Sequence, residues 1–127
     1  MDAMHGSLVP LFVVSLTVLS TVLSRHGSKV VLDAGRKSIG VDFASPQLVG
    51  RTATPTFFAE EHAQLEASDG CVLKVGDLVH LVAGYAPTTV NLHDVAFGYR
   101  GDKIVKAYPL FPRGPGHRGF AQSLARS

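Results

Sequence analysis

Leu8 to Leu23 reads LVPLFVVSLTVLSTVL, the most apolar stretch of the chain, and its conformation sets the class of the fold. Crossing a bilayer takes about 20 mostly apolar residues, and this shorter run is interrupted by Pro10, Ser15, Thr17, Ser20 and Thr21. A secretory signal would place Lys or Arg ahead of the apolar run and a small-residue cleavage site behind it. Met1 to Ser7 offers only Asp2 and the titratable His5. The β-branched Val13, Val14, Thr17, Val18, Thr21 and Val22 would each lose χ1 freedom in a helix. The reading is one long strand over Leu8–Leu23 and no membrane partner.

Working outward, the chain keeps alternating short apolar runs with turn residues. Strands are predicted at Lys29–Asp33, Pro46–Gly50, Thr56–Ala59, Val72–Val75, Leu78–Val82, Val95–Arg100 and Lys103–Tyr108. Gly76-Asp77 would join Val72–Val75 to Leu78–Val82 as a bulged hairpin, and Gly101-Asp102 would close a second hairpin that ends at Pro109. Glu60–Leu65 reads as a brief helical turn or a polar edge strand, and Tyr85–Asp94 as a polar loop rich in hydroxyls and amides, the kind that carries binding groups on a β scaffold. The fold class is therefore mainly β, an antiparallel barrel or sandwich with little helix and a disordered C-terminal tail.

The chain has 127 residues, enough for one hydrophobic core. Its net charge of +2 is too small for a polyanion binder, and the arginines near the C-terminus lack interleaved aromatics, so nucleic acid is excluded as a partner. A single cysteine, Cys71, forms no internal disulfide and suits a small apolar filler, so the chain either sits in a reducing compartment or does without disulfides, and a cytoplasmic location is the default expectation. Residues 115–127 form a flexible, basic, Pro/Gly-rich tail that buries too little apolar area to order itself. The Gly-rich run around it lacks the strand–loop–helix context of a phosphate loop.

Few residues suggest chemistry on their own. A Schiff-base lysine must be desolvated, whereas Lys29, Lys37, Lys74, Lys103 and Lys106 all fall beside turns or on alternating exposed positions. Glu60-Glu61-His62 and His93-Asp94 carry metal-ligand types, but successive side chains of an extended chain point to opposite faces, and the spacing of a structural zinc site is missing.

Glu60-Glu61-His62, Gly76-Asp77, the run Pro87-Thr88-Thr89-Val90-Asn91-Leu92-His93-Asp94 and the Pro-x-x-x-Arg-Gly pattern from Pro109 to Gly114 resemble, in that order, the carboxy-terminal domain of the D-serine dehydratase and D-threonine aldolase family. Leu16 to Arg25 and Val31 to Lys37 are similar to the same family. The resemblance spans residues 10–114 as a D-serine dehydratase-like β domain, with residues 1–9 as the remnant of an inter-domain linker.

The family has the alanine racemase-like fold, so the resemblance implies an amino-terminal α/β barrel that carries pyridoxal phosphate (PLP) on a lysine, closed over by the β domain. Only the second part is matched here, and the barrel is the partner the resemblance leaves missing. It also implies homodimers. The chain then reads as a fragment or truncated form of a PLP-dependent D-amino-acid lyase, inactive alone, with no catalytic residue and no cofactor of its own, since the chemistry belongs to the coenzyme. In the family a His-x-Cys or His-x-Asp pair ahead of the Thr-Val-Asn-Leu segment holds a divalent metal. The matching positions here are Tyr85 and Pro87, so the pair is not carried over, and His62 and His93 are the nearby metal-ligand candidates. The alternative is a free-standing β-barrel module that binds a small ligand or a protein through Tyr85–Asp94.

Overall fold

The computed structural model describes residues 1–9, 11, 13–50 and 52–111, so the expected tail at 115–127 lies outside the described residues. Eight strands and two six-residue helices appear among them: α1 (Ala3–Leu8), β1 (Val18–His26), β2 (Lys29–Leu32), β3 (Gln47–Leu48), β4 (Ala53–Phe58), β5 (Ala63–Ala67), β6 (Leu78–Val82), α2 (Ala86–Asn91), β7 (Val95–Arg100) and β8 (Lys103–Pro109). They fall into two compact units, Met1–Thr89 and Val90 onward.

In the first unit six antiparallel strands run in the order β3-β6-β1-β2-β5-β4. The edge strands β3 and β4 touch, which nearly closes the sheet into the expected barrel. Alternation decides which side chains fill it. Val22, Val30, Leu32, Leu65 and Leu81 point inward with at most 1% exposure, and Ile39 joins them from the connection after β2. The second unit is the β7–β8 hairpin around Gly101-Asp102, as the alternation predicts.

Four local expectations are corrected. The strand expected over Leu8–Leu23 begins only at Val18, where β6 first offers a partner (Val18 opposite Leu81). Val9, Leu11 and 13–17 lie outside regular structure, because β-propensity makes no strand without a neighbour to pair with. Val72–Val75 is not a strand either. The Arg25 guanidinium donates to the carbonyls of Cys71 and Leu73 in place of a ladder, and β6 pairs with β1 and β3. The Gly76-Asp77 turn does form, with Gly76 at φ +91° and Asp77 Oδ2 accepting the Lys74 N–H at 2.9 Å. Glu60–His62 connects β4 to β5, and β5 is an inner strand between β2 and β4 instead of a helical turn or an edge. The polar run from Tyr85 is largely helical as α2, with Pro87 in the first turn, where its missing N–H costs nothing.

Candidate functional site

The end of β6 leads through Ala83-Gly84-Tyr85 into α2, and close backbone approach fixes this corner. A Cβ on Gly84 would fall 2.0 Å from the Ala44 carbonyl oxygen, so glycine is what lets the two segments touch. Gly84 N–H donates to Gly40 O at 3.0 Å, and Gly40 N–H donates to the buried Thr89 Oγ1 at 2.8 Å. Thr89 Oγ1 in turn donates to Tyr85 O at 3.0 Å, and Thr88 Oγ1 to the same oxygen at 3.3 Å.

Asp2 ties α1 to this corner. Its side chain is the N-cap of α1, with Oδ1 accepting the His5 N–H at 2.8 Å and lying 2.8 Å from His5 Nδ1. Oδ2 accepts the Ala86 N–H at 2.7 Å. The first N–H groups of α1, which no helical carbonyl reaches, donate to Ala83 O and Gly84 O. Asp2 is only 4% exposed. Desolvation pushes its carboxyl upward, but the hydrogen bonds from His5 and Ala86 outweigh it and hold the group below the usual 3.8.

Tyr85 sits between two rings. The His5 imidazole stacks on it at 5.9 Å with the planes 25° apart, and Phe43 meets it edge-on at 4.9 Å and 67°. Phe43 is 76% exposed with φ +62°, at the centre of a γ-turn closed by Ala44 N–H to Asp42 O at 2.7 Å. That hand of γ-turn is the rarer and more strained one.

The sequence-predicted metal candidates belong to different units, His62 to the first and His93 to the second. His62 is exposed and lines a groove of about 440 Å³ with Leu23, Val31 and Phe57 on the outside of the sheet. Glu61 beside it pairs with Lys37 at 2.5 Å. His93 is half-buried and belongs to the second unit. Among the described residues no group of three or more His, Cys, Asp or Glu is arranged to hold a metal ion. Tyr85 and Pro87 do not fit a divalent ion either. Proline has no side-chain donor, the Tyr85 ring is packed between His5 and Phe43, and the adjacent Asp2 carboxylate is committed to three polar contacts.

No lysine of the chain offers PLP a desolvated amine. All five lysines are exposed, and the Glu61 hydrogen bond and charge raise the Lys37 amine, the reverse of the depressed amine a Schiff base needs. Cys71 is free and buried, as a filler would be. Asp2 and Phe43 were missed by sequence reasoning. Asp2 carried the signal of an N-cap ahead of Ala3-Met4, whereas nothing about a phenylalanine announces positive φ.

Residues 15–99 match the family model described as "Putative serine dehydratase domain". Two curated relatives, both 3-hydroxy-D-aspartate aldolases of Paracoccus denitrificans (one from strain Pd 1222), are 36% identical over 105 residues, 81% of this chain and 27% of theirs. The crystal structure of D-threonine aldolase from Filomicrobium marinum superposes with a TM-score of 0.78 at 27% identity, covering 86% of this chain and 32% of that one. The chain thus spans about a third or less of the length of these relatives. With most of its length matched by the family model and its mainly antiparallel β fold, the chain belongs to the serine dehydratase domain family, as its carboxy-terminal β domain.

Proposed function

We propose that this β domain serves as the lid of a PLP-dependent D-amino-acid lyase, whose coenzyme and coenzyme-bearing lysine come from an α/β barrel domain, and that the 127-residue chain turns nothing over alone. The observation that carries the reading is a conjunction. The chain matches a family of D-amino-acid aldolases over only 27–32% of their length, and its own lysines are all solvated. When bound, the coenzyme supplies the electron sink. The lid contributes a rigid wall, built at the Gly40–Gly84 contact and the Asp2 bridge, that positions Tyr85 and α2 toward a neighbouring domain. Its partners are the barrel domain and, as the resemblance implies, a second copy of the chain in a homodimer. A single buried cysteine suits a reducing compartment, and the cytosol is the location we propose.

The test mixes the purified chain with excess PLP and follows coenzyme absorbance together with turnover of 3-hydroxy-D-aspartate, D-threonine and D-serine. No coenzyme adduct and no turnover are expected. Adding the barrel domain of the Paracoccus aldolase as a separate polypeptide should give a complex with the chain. Robust turnover by the chain alone would overturn the proposal.

A further inference from the structure

At Tyr85 and Pro87 the family resemblance and the donor set of this chain disagree, and the disagreement has a physical form. Where two ligating side chains would need free lone pairs converging on one point, this chain has a phenol ring held between two other rings and a proline. The polar groups next to the phenol are already taken. Asp2 Oδ1 faces both the backbone N–H and Nδ1 of His5, Asp2 Oδ2 accepts the Ala86 N–H, and the Tyr85 carbonyl accepts from Thr88 and Thr89. Phe43 is held against Tyr85 by a γ-turn that costs backbone strain, and such strain persists only where its surroundings over-determine it.

We propose that this chain has exchanged the metal pair of its family for an aromatic clamp, His5–Tyr85–Phe43, and that this position holds no divalent ion. The inference rests on the residue-by-residue match to the family and stands whether or not the chain works as a lid. It also makes the exchange reversible. Pro87 is exposed and lies in the first turn of α2, where an aspartate is tolerated and favoured by the helix dipole. Histidine at 85 would replace one planar ring with another that carries a donor.

The experiment is equilibrium dialysis of the full chain against Mn²⁺ or Zn²⁺, with bound metal counted by elemental analysis and Mn²⁺ by its paramagnetic resonance. Wild type and Tyr85→Phe should bind the same amount, showing that the phenol oxygen ligates nothing. The double variant Tyr85→His, Pro87→Asp should bind more metal than wild type, because an imidazole and a carboxylate then stand where this chain has a phenol and a proline. Loss of a bound equivalent in Tyr85→Phe would overturn the proposal. So would a double variant that is folded by circular dichroism and gains no metal, because the two positions would then not form a ligand pair. Should the double variant fail to fold, the wild type and Tyr85→Phe comparison decides, since that change removes one oxygen and keeps the ring. No readout depends on turnover, so inactivity of the chain bears on the lid proposal and not on this one.

Discussion

Asp2→Ala is the substitution whose effect the structure fixes most closely. The carboxylate caps α1 and also accepts the Ala86 N–H at the start of α2, from a side chain that is 4% exposed. Losing the N-cap costs about 1 kcal/mol, and leaving the Ala86 N–H without an acceptor in a nearly dry site costs about 1–3 kcal/mol more. The expected destabilisation is therefore about 2–4 kcal/mol, a large part of the roughly 5–15 kcal/mol that holds a small domain together. Urea unfolding followed by far-ultraviolet circular dichroism at pH 7 reads it as a lower midpoint at unchanged slope. The pH dependence gives a second check. Because the folded carboxyl lies below its ordinary value of 3.8, its contribution is fully present above 3.8 and is lost as the pH falls through the folded value. Wild type and variant should converge on acidification. A variant within about 0.5 kcal/mol of wild type at pH 7, or a gap that stays constant into acid, would refute the assignment of Asp2 as the bridge between the two helices.

Four further outcomes are expected. Asp33→Ala removes the acceptor of the buried Ser20 hydroxyl (2.6 Å) and of the Thr21 N–H (2.7 Å) and should cost about 1 kcal/mol, discounted because solvent reaches the carboxyl. Desolvation raises that carboxyl, but these bonds hold it below 3.8, so its contribution also disappears as the pH falls through the folded value, readable by acid titration of the unfolding midpoint. Gly84→Ala drives a methyl group into the Ala44 carbonyl, a backbone atom that cannot step aside, and should cost about 2 kcal/mol or more, measured by thermal unfolding. Leu65→Ala, at 1% exposure, should cost about 2–5 kcal/mol, against less than about 0.5 kcal/mol for Val13→Ala at 84% exposure; equal losses in chemical denaturation would mean the core is misplaced. Finally, the purified chain should enhance the fluorescence of a hydrophobic dye and scatter light more than a monomer of its mass, and adding a barrel domain should suppress both.

How much could be read from the residues follows from what each signal depends on. The β7–β8 hairpin was legible because Gly101-Asp102 and the alternation around it act within a few residues. The extent of β1 was not, because β-branched side chains permit a strand from Leu8 but only the pairing of Val18 with Leu81 starts one. Val72–Val75 misled for the same reason. Its Leu73 carbonyl, like that of Cys71 just ahead of it, accepts from Arg25, 48 and 46 residues earlier in the chain. At the candidate site, the resemblance identified Tyr85 and Pro87 as the positions to inspect. It could not show that Asp2, 84 residues from Ala86, joins them, nor that Phe43 stands over the Tyr85 ring.

The exposed apolar surface is what separates a lid from a self-sufficient binding module. A two-stranded hairpin alone in water is marginal at best, because it has no second layer on which to bury a face. In the β7–β8 register Val95, Phe97, Tyr99 and Ile104 share one face and are 37%, 60%, 53% and 68% exposed. The barrel-like unit repeats the pattern on its outer surface. Leu19, Leu23, Phe57 and Leu78 are 56%, 44%, 55% and 65% exposed, and two of them line the groove that holds His62. Full burial of one such side chain is worth roughly 1.5–3 kcal/mol, so surfaces like these amount to several kcal/mol of hydrophobic stabilisation left unrealised. A module selected to work alone would have replaced them with polar residues at little structural cost, since they face away from the core. Their retention is intelligible if a neighbouring domain normally covers them, and that supports the lid reading over the free-standing one.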